Sequence, residues 1–138
     1  MGRDFEILEH TADAGIRAYG KDVKEAFANS ARGMFSLITE LDDIEEVEYR
    51  DIEVSAPEQE SLLVHWLNEL IYLFDAENMI FTRFDIMQLG DTLLRARAYG
   101  EKVDSSRHRL KTGIKAATYH MLNINESNGW QVQVLFDI

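Results

Sequence analysis

Apolar positions recur along this chain with two different periods, and the change from one to the other marks out its elements. Over "DVKEAFANSARGMFSLI" (22–38), Val23, Ala26, Phe27, Met34, Phe35 and Ile38 fall on one side of a helix, and Asp22 with Glu25 supplies a D-x-x-E start. Over "PEQESLLVHWLNELIYLFDAE" (57–77) the stripe is Leu62, Leu63, Trp66, Leu67, Leu70, Ile71 and Phe74, with Ser55, Pro57 and Glu58 marking the entry. Both segments predict helices. Elsewhere the period is two, as in strands with one buried face. "TLLRARAYG" sets Leu94, Ala96 and Ala98 against Arg95 and Arg97. "GWQVQVLFDI" sets Trp130, Val132, Val134 and Phe136 against Gln131, Gln133, Leu135 and Asp137. Weaker alternation runs through 5–10, 14–20, 80–89 and 118–125, while 46–54 changes phase between Tyr49 and Ile52, as a bulge would make it do. The order strand, strand, helix, strand, helix, then four strands predicts an α+β fold, with two main helices packed on a mixed or antiparallel sheet.

Length makes this one domain, 1–138, since 138 residues bury a real core but do not divide comfortably into two. Apolar residues at 46% and charged residues at 28% belong to a globular chain. No repeat, low-complexity tract or Pro/Gly-rich linker interrupts it. Cysteine is absent, which removes disulfides, thiolate nucleophiles and cysteine-ligated metal sites. "MGRDFEILEH" lacks the basic-then-apolar pattern of a secretion signal, and no apolar run approaches the ~20 residues of a membrane helix. A cytoplasmic protein without a membrane partner is the expectation.

Net charge of −11 disfavours indiscriminate binding to nucleic acid. The charge is unevenly spread: residues 1–80 hold nineteen acids and six bases, residues 81–138 six acids and eight bases. "ELDDIEEVEY" (40–49) reads as a solvated helix-to-strand connection. In "GEKVDSSRHRLKTGIKAATYH" (100–120), Gly100 ends a strand and Asp104 with Ser105 suits a turn. Arg107, His108, Arg109, Lys111 and Lys115 form either a solvated basic loop or a docking surface for phosphate or an acidic partner.

The chemistry is sparse. The four histidines show no H-x-x-x-H or H-E-x-x-H spacing, and there is no P-loop, dinucleotide fingerprint or nucleophile elbow. His65 reads as a helix-surface or packing residue, and His120, in phase with Leu122 and Ile124, as a satisfied, partly buried one. Asp13 in "EHTADAGIRAYG" is in phase with Gly15, Arg17 and Tyr19, away from the core, and Asp137 is in phase with Gln131 and Gln133. The free C-terminal group of Ile138 would lie beside Asp137. Should these ends meet, three carboxylates converge, and a hard cation is the economical way to hold them. Calcium takes roughly 6–8 oxygens, while magnesium and manganese want fewer and tighter ones. The other reading of Asp13 is a turn residue satisfying its own backbone.

"FEILEHTADAGIRAYG", "AFANSARGMFSLI", "LLVHWLNELIYLF", "GEKVDSSRH…IKAATYH" and "WQVQVLFDI", in this order, resemble the archease family over nearly the whole chain. Departures are slight: Ala14 stands where a branched residue is frequent, and Glu9 where aspartate is also common. The resemblance implies a compact α+β unit and a non-catalytic protein cofactor of the RtcB-type tRNA-splicing RNA ligase. Such a cofactor promotes guanylylation and multiple turnover of the ligase, whose chemistry remains its own, so RNA contact is indirect or weak. It also implies a divalent metal, most often calcium, on Asp13, Asp137 and Ile138. His10, Asp104, His108 and Lys115 stand as candidates for partner contact or support. Two alternatives remain: a chaperone-like modulator of other RNA-processing enzymes, and a metal-dependent phosphoesterase using the same carboxylates with His10 as base.

Overall fold

The computed structural model describes residues 4–9 and 13–138. The element order is the expected one: β1 (Phe5–Glu9), β2 (Ala14–Gly20), α1 (Val23–Ile38), β3 (Glu48–Ser55), α2 (Gln59–Glu77), β4 (Met79–Leu89), β5 (Leu93–Lys102), β6 (Ala116–Glu126) and β7 (Trp130–Asp137). The strands divide into two antiparallel sheets, β1-β2-β7-β6 and β3-β5-β4. Helix α1 packs on β2 and β4 and so touches both sheets, while α2 lies against β6 and β3.

The helices begin where their capping residues dictate. Asp22 accepts the Glu25 N–H at 2.8 Å, and the Glu25 carboxylate accepts the Lys21 N–H at 2.7 Å, which satisfies donors that the helix leaves open. Helix α2 ends on Asn78 in the left-handed region (φ 57°), its N–H donating to Phe74 O at 3.0 Å. Between the helices the core is aromatic. Trp66 is fully buried, its indole N–H donating to Phe27 O of α1 at 3.1 Å. Its ring meets Phe84 edge-on at 5.9 Å, and Phe84 in turn contacts Phe35 and Phe81.

Three local expectations are corrected. Strand β3 pairs with β5 in unbroken register from Glu48↔Gly100 to Ser55↔Leu93, and the bulges lie instead in β4, at Phe81/Arg83 and Ile86/Gln88. Tyr49 breaks the apparent phase because it sits on the solvent face, against Tyr99 and beneath Arg97. Strand β5 runs two residues past Gly100, to Lys102. In β6 the register shifts between Thr118 and Asn123, with Met121 at φ 56°, and this turns His120 out to solvent. The 40–49 connection is solvated as expected apart from buried Ile44.

Gly100 does not end its strand; it lets β4 and β5 close. A Cβ there would lie 1.8 Å from Ile80 O and 2.7 Å from Phe81 Cα, both main-chain atoms with nowhere to go. Gly100→Ala is therefore expected to destabilise the fold by more than about 2 kcal/mol, seen as a lower urea midpoint with an unchanged slope.

Candidate functional site

Strand β7 is inserted between β2 and β6, so the end of the described chain lies beside its beginning. The β2–β7 register runs from Gly20↔Trp130 to Ala14↔Phe136. Asp13 precedes β2 directly and Asp137 ends β7, so the same register carried one pair further would set them against each other, on the face carrying Gly15, Arg17 and Tyr19. Asp13 is half-buried, with one carboxylate oxygen shielded from solvent. Asp137 is exposed, and its carbonyl accepts the Lys115 N–H at 2.8 Å. Ile138 follows directly and is exposed.

The same face carries a polar network inward from the carboxylates. Arg17 donates to Gln133 Oε1 at 2.7 Å and to Glu6 Oε1 at 3.4 Å, and the Tyr19 hydroxyl donates to Glu6 Oε2 at 2.8 Å. Burial, and then the Glu6 carboxylate, push the Tyr19 phenol above its ordinary value. Among the described residues no three Asp, Glu or His side chains are grouped to hold a metal. His10 lies outside the described residues.

Residues 5–138 match the Archease protein family (MTH1598/TM1083). The chain belongs to the archease family. It is 44% identical over 138 residues to the protein archease of Saccharolobus islandicus, covering 99% of each chain, and 39% identical over 143 residues to that of Methanosarcina mazei, covering 100% of this chain and 98% of the other. The solution structure of Methanobacterium thermoautotrophicum protein 1598 is 36% identical with a TM-score of 0.82, over 98% of this chain and 99% of that one. The crystal structure of a Thermotoga maritima archease, described as a possible chaperone, shares the fold with a TM-score of 0.63 at 24% identity, over 95% and 94% of the two chains.

The remaining archease candidates lie in the connection between β5 and β6, and they are not alike. Asp104 is exposed and turns the chain. Its carboxylate accepts from Ser106 N–H at 3.0 Å and Ser106 Oγ at 2.7 Å, and these bonds hold its pKa below the usual carboxylate range. His108 is buried, so it supports the connection from within and presents no contact surface. Its Nδ1 accepts the Asp104 N–H at 2.8 Å, which places the ring proton on Nε2, directed at Glu101 Oε2 (2.9 Å) and Asp43 O (3.0 Å). Lys115 is exposed and, like Arg109, has no carboxylate partner among the described residues.

Most of the basic stretch is neutralised within the molecule. Arg95 pairs with Glu53, Arg97 with Asp51, Lys111 with Glu40, and Arg107 with Glu101, Glu45 and Asp104. The residue that pattern reading missed is Glu101, 6% exposed at the centre of this cluster. The available signal was charge complementarity between the acids of 40–53 and the bases of 95–111. Burial alone would raise the Glu101 pKa. The Glu45 N–H, Arg107 and His108 outweigh it and hold the carboxyl below its usual range.

A depressed pKa contributes stability above the unfolded-state value and loses it as pH falls through the folded-state value. Glu101→Gln is thus expected to be less stable than the unaltered protein at neutral pH, by roughly 2 kcal/mol for the lost charge-assisted hydrogen bonds. In denaturant titrations that difference should shrink as pH falls from about 4.3, the ordinary glutamate value, through the lower folded-state value, where the carboxyl becomes protonated.

Proposed function

We propose that this archease is a non-catalytic protein cofactor of an RtcB-type tRNA-splicing RNA ligase, promoting its guanylylation and multiple turnover from the end that carries Asp13 and Asp137. The observation that supports this reading is the β2–β7 register, whose last pair, Ala14↔Phe136, is flanked by Asp13 on one side and Asp137 on the other. Two like charges in neighbouring strands repel unless a cation intervenes, and oxygen donors alone suit a hard one. Calcium fits best, with magnesium and manganese as the alternatives.

Asp13, Asp137 and the main-chain oxygens of Ile138 would hold the ion. A divalent cation there supplies a Lewis acid that neutralises charge on phosphate oxygens. The chain's own part is orientation. Asp13 directly precedes β2 with one oxygen withdrawn from solvent, and the Lys115 N–H holds the Asp137 main chain. Asp137 and Ile138 stay exposed, so a partner can reach this tip. Arg109 and Lys115, which have no carboxylate partner among the described residues, would meet acidic groups of the ligase, while RNA contact is indirect or weak. The setting is cytoplasmic.

A chaperone-like reading draws on the exposed Tyr119 and Met121 of the β6 irregularity and on the description of the Thermotoga maritima relative. The two part at one substitution. Asp13→Asn is expected to lower calcium affinity and multiple-turnover ligation by the cognate ligase at least about tenfold. Unchanged ligation, with suppression of aggregation of unrelated clients, would favour the chaperone reading. Phosphoester hydrolysis by the isolated protein with added manganese would instead revive the phosphoesterase.

A further inference from the structure

Strand β4 is an edge of its sheet, since the order β3-β5-β4 leaves no strand on its other side. Two bulges, at Phe81/Arg83 and Ile86/Gln88, frame a regular stretch from Arg83 to Ile86. Along this stretch lies a cavity of about 640 Å³, lined by Thr82, Arg83, Phe84, Asp85 and Ile86 in succession. Side chains of a strand alternate between its faces, so five consecutive residues can line one cavity only through the strand's edge. Among the described residues, no main-chain N–H or C=O of 82–86 bonds to anything but β5. Strand β6 differs, because Asn68 of α2 takes its Ala117 N–H at 2.8 Å. The facing wall of the cavity is the start of α1, where Glu25, Ala28 and Arg32 recur at helical spacing beside Lys21 and Lys24.

The charge of this groove is decided by which groups are already used. Asp22 Oδ1 accepts the Glu25 N–H, and Glu25 Oε1 accepts the Lys21 N–H. Glu46 and Asp85 hold Arg83, and Asp4 holds Arg32. Lys21 and Lys24 are exposed and have no carboxylate partner among the described residues. The uncommitted charge is therefore positive, on a chain whose net charge is −11. We propose that the open edge of β4 between its bulges docks an extended acidic segment of a partner protein, which adds to the three-stranded sheet as a fourth strand. Main-chain bonds to the regular stretch supply the grip, and carboxylates of the segment meet Lys21 and Lys24. The bulges serve the same end: they confine pairing to a short stretch, which suits a peptide segment and disfavours the long edge of a second copy.

The test titrates the full chain at low salt with a labelled hexapeptide, Glu-Val-Glu-Val-Glu-Val blocked at both ends, followed by fluorescence anisotropy and by amide NMR shifts. Shifts centred on 82–86 are expected. The Lys-Val counterpart should bind at least about tenfold more weakly, and so should the acidic peptide to Lys21→Glu combined with Lys24→Glu. Both lysines are exposed, so circular dichroism of that double variant should match the unaltered protein. Neighbouring residues of a strand send their N–H groups to opposite sides. Of two acidic peptides, one N-methylated at its glutamates and one at its valines, a single one should therefore keep binding. Binding that neither set of methyl groups weakens, or that the basic peptide matches, overturns the proposal. So does an absence of binding by the acidic peptide. Self-association of the unaltered protein that shifts the same amides overturns it too, because the edge then belongs to a second copy.

Discussion

The pairing of β2 with β7 is the constraint on which the rest depends. Seven residue pairs, Ala14↔Phe136 through Gly20↔Trp130, join the two ends of the described chain. Ile16, Ala18, Val132, Val134 and Phe136 are thereby turned onto α1 and the shared core. Their alternates, Gly15, Arg17, Tyr19, Gln131, Gln133 and Leu135, make the outer face. A slip of one residue would exchange the two sets, placing an arginine and two glutamines in the core, so the buried face itself enforces the register. Because that register is enforced by burial, the position of Asp13 relative to Asp137 is a by-product of core packing and needs no dedicated contact between them.

A second organisation is electrostatic. The acids of 40–53 and the bases of 95–111 meet across β3, β5 and the connection after β5. On the outer face of the three-stranded sheet, Arg83 stacks over Tyr99 with its guanidinium carbon 3.7 Å from the ring centroid, and Arg97 over Tyr49 at 4.0 Å. Exposed pairs of this kind contribute little each, generally below about 1 kcal/mol. The buried Glu101 and His108, with the exposed Arg107, differ, because they tie β5, the acidic connection and the strap to β6 at one point. From there the strap runs along the end of α1: the Lys111 and Thr112 N–H groups donate to Ile38 and Leu37 carbonyls, and Thr39 Oγ1 donates to Arg109 O. It reaches Asp137 through Lys115.

Much of this was legible in the residues, for identifiable reasons. The helices carry capping side chains and stripes that only one period satisfies. Strands β5 and β7 alternate cleanly because one face is buried along most of their length. Strand β6 misled at His120, since a residue such as Met121 in the left-handed region changes phase without any glycine or proline to announce it. Tyr49 misled for another reason: an aromatic on a solvent face, held by arginine and tyrosine neighbours, looks like a core residue in pattern alone. Phase sets Asp13 and Asp137 off the core face, but that they flank the last pair of the β2–β7 register follows only from strand order, which no local pattern encodes. Leu135 was assigned to the polar face correctly, yet its burial depends on Gly15, its partner in a different strand.

The insertion of β7 between β2 and β6 has a consequence for how the molecule is made. Synthesis delivers β7 after every other described element, and β2 and β6 have no pairing with each other without it. The hairpin β1–β2 and the three-stranded sheet can form from nearby segments, whereas closing β2 onto β7 requires the longest loop in the chain. Completing the four-stranded sheet therefore depends on the pairing most distant in sequence, and β6 joins that sheet only through β7. A chain without β7 would keep the segments of both helices and of the three-stranded sheet while losing the neighbour that β2 and β6 share.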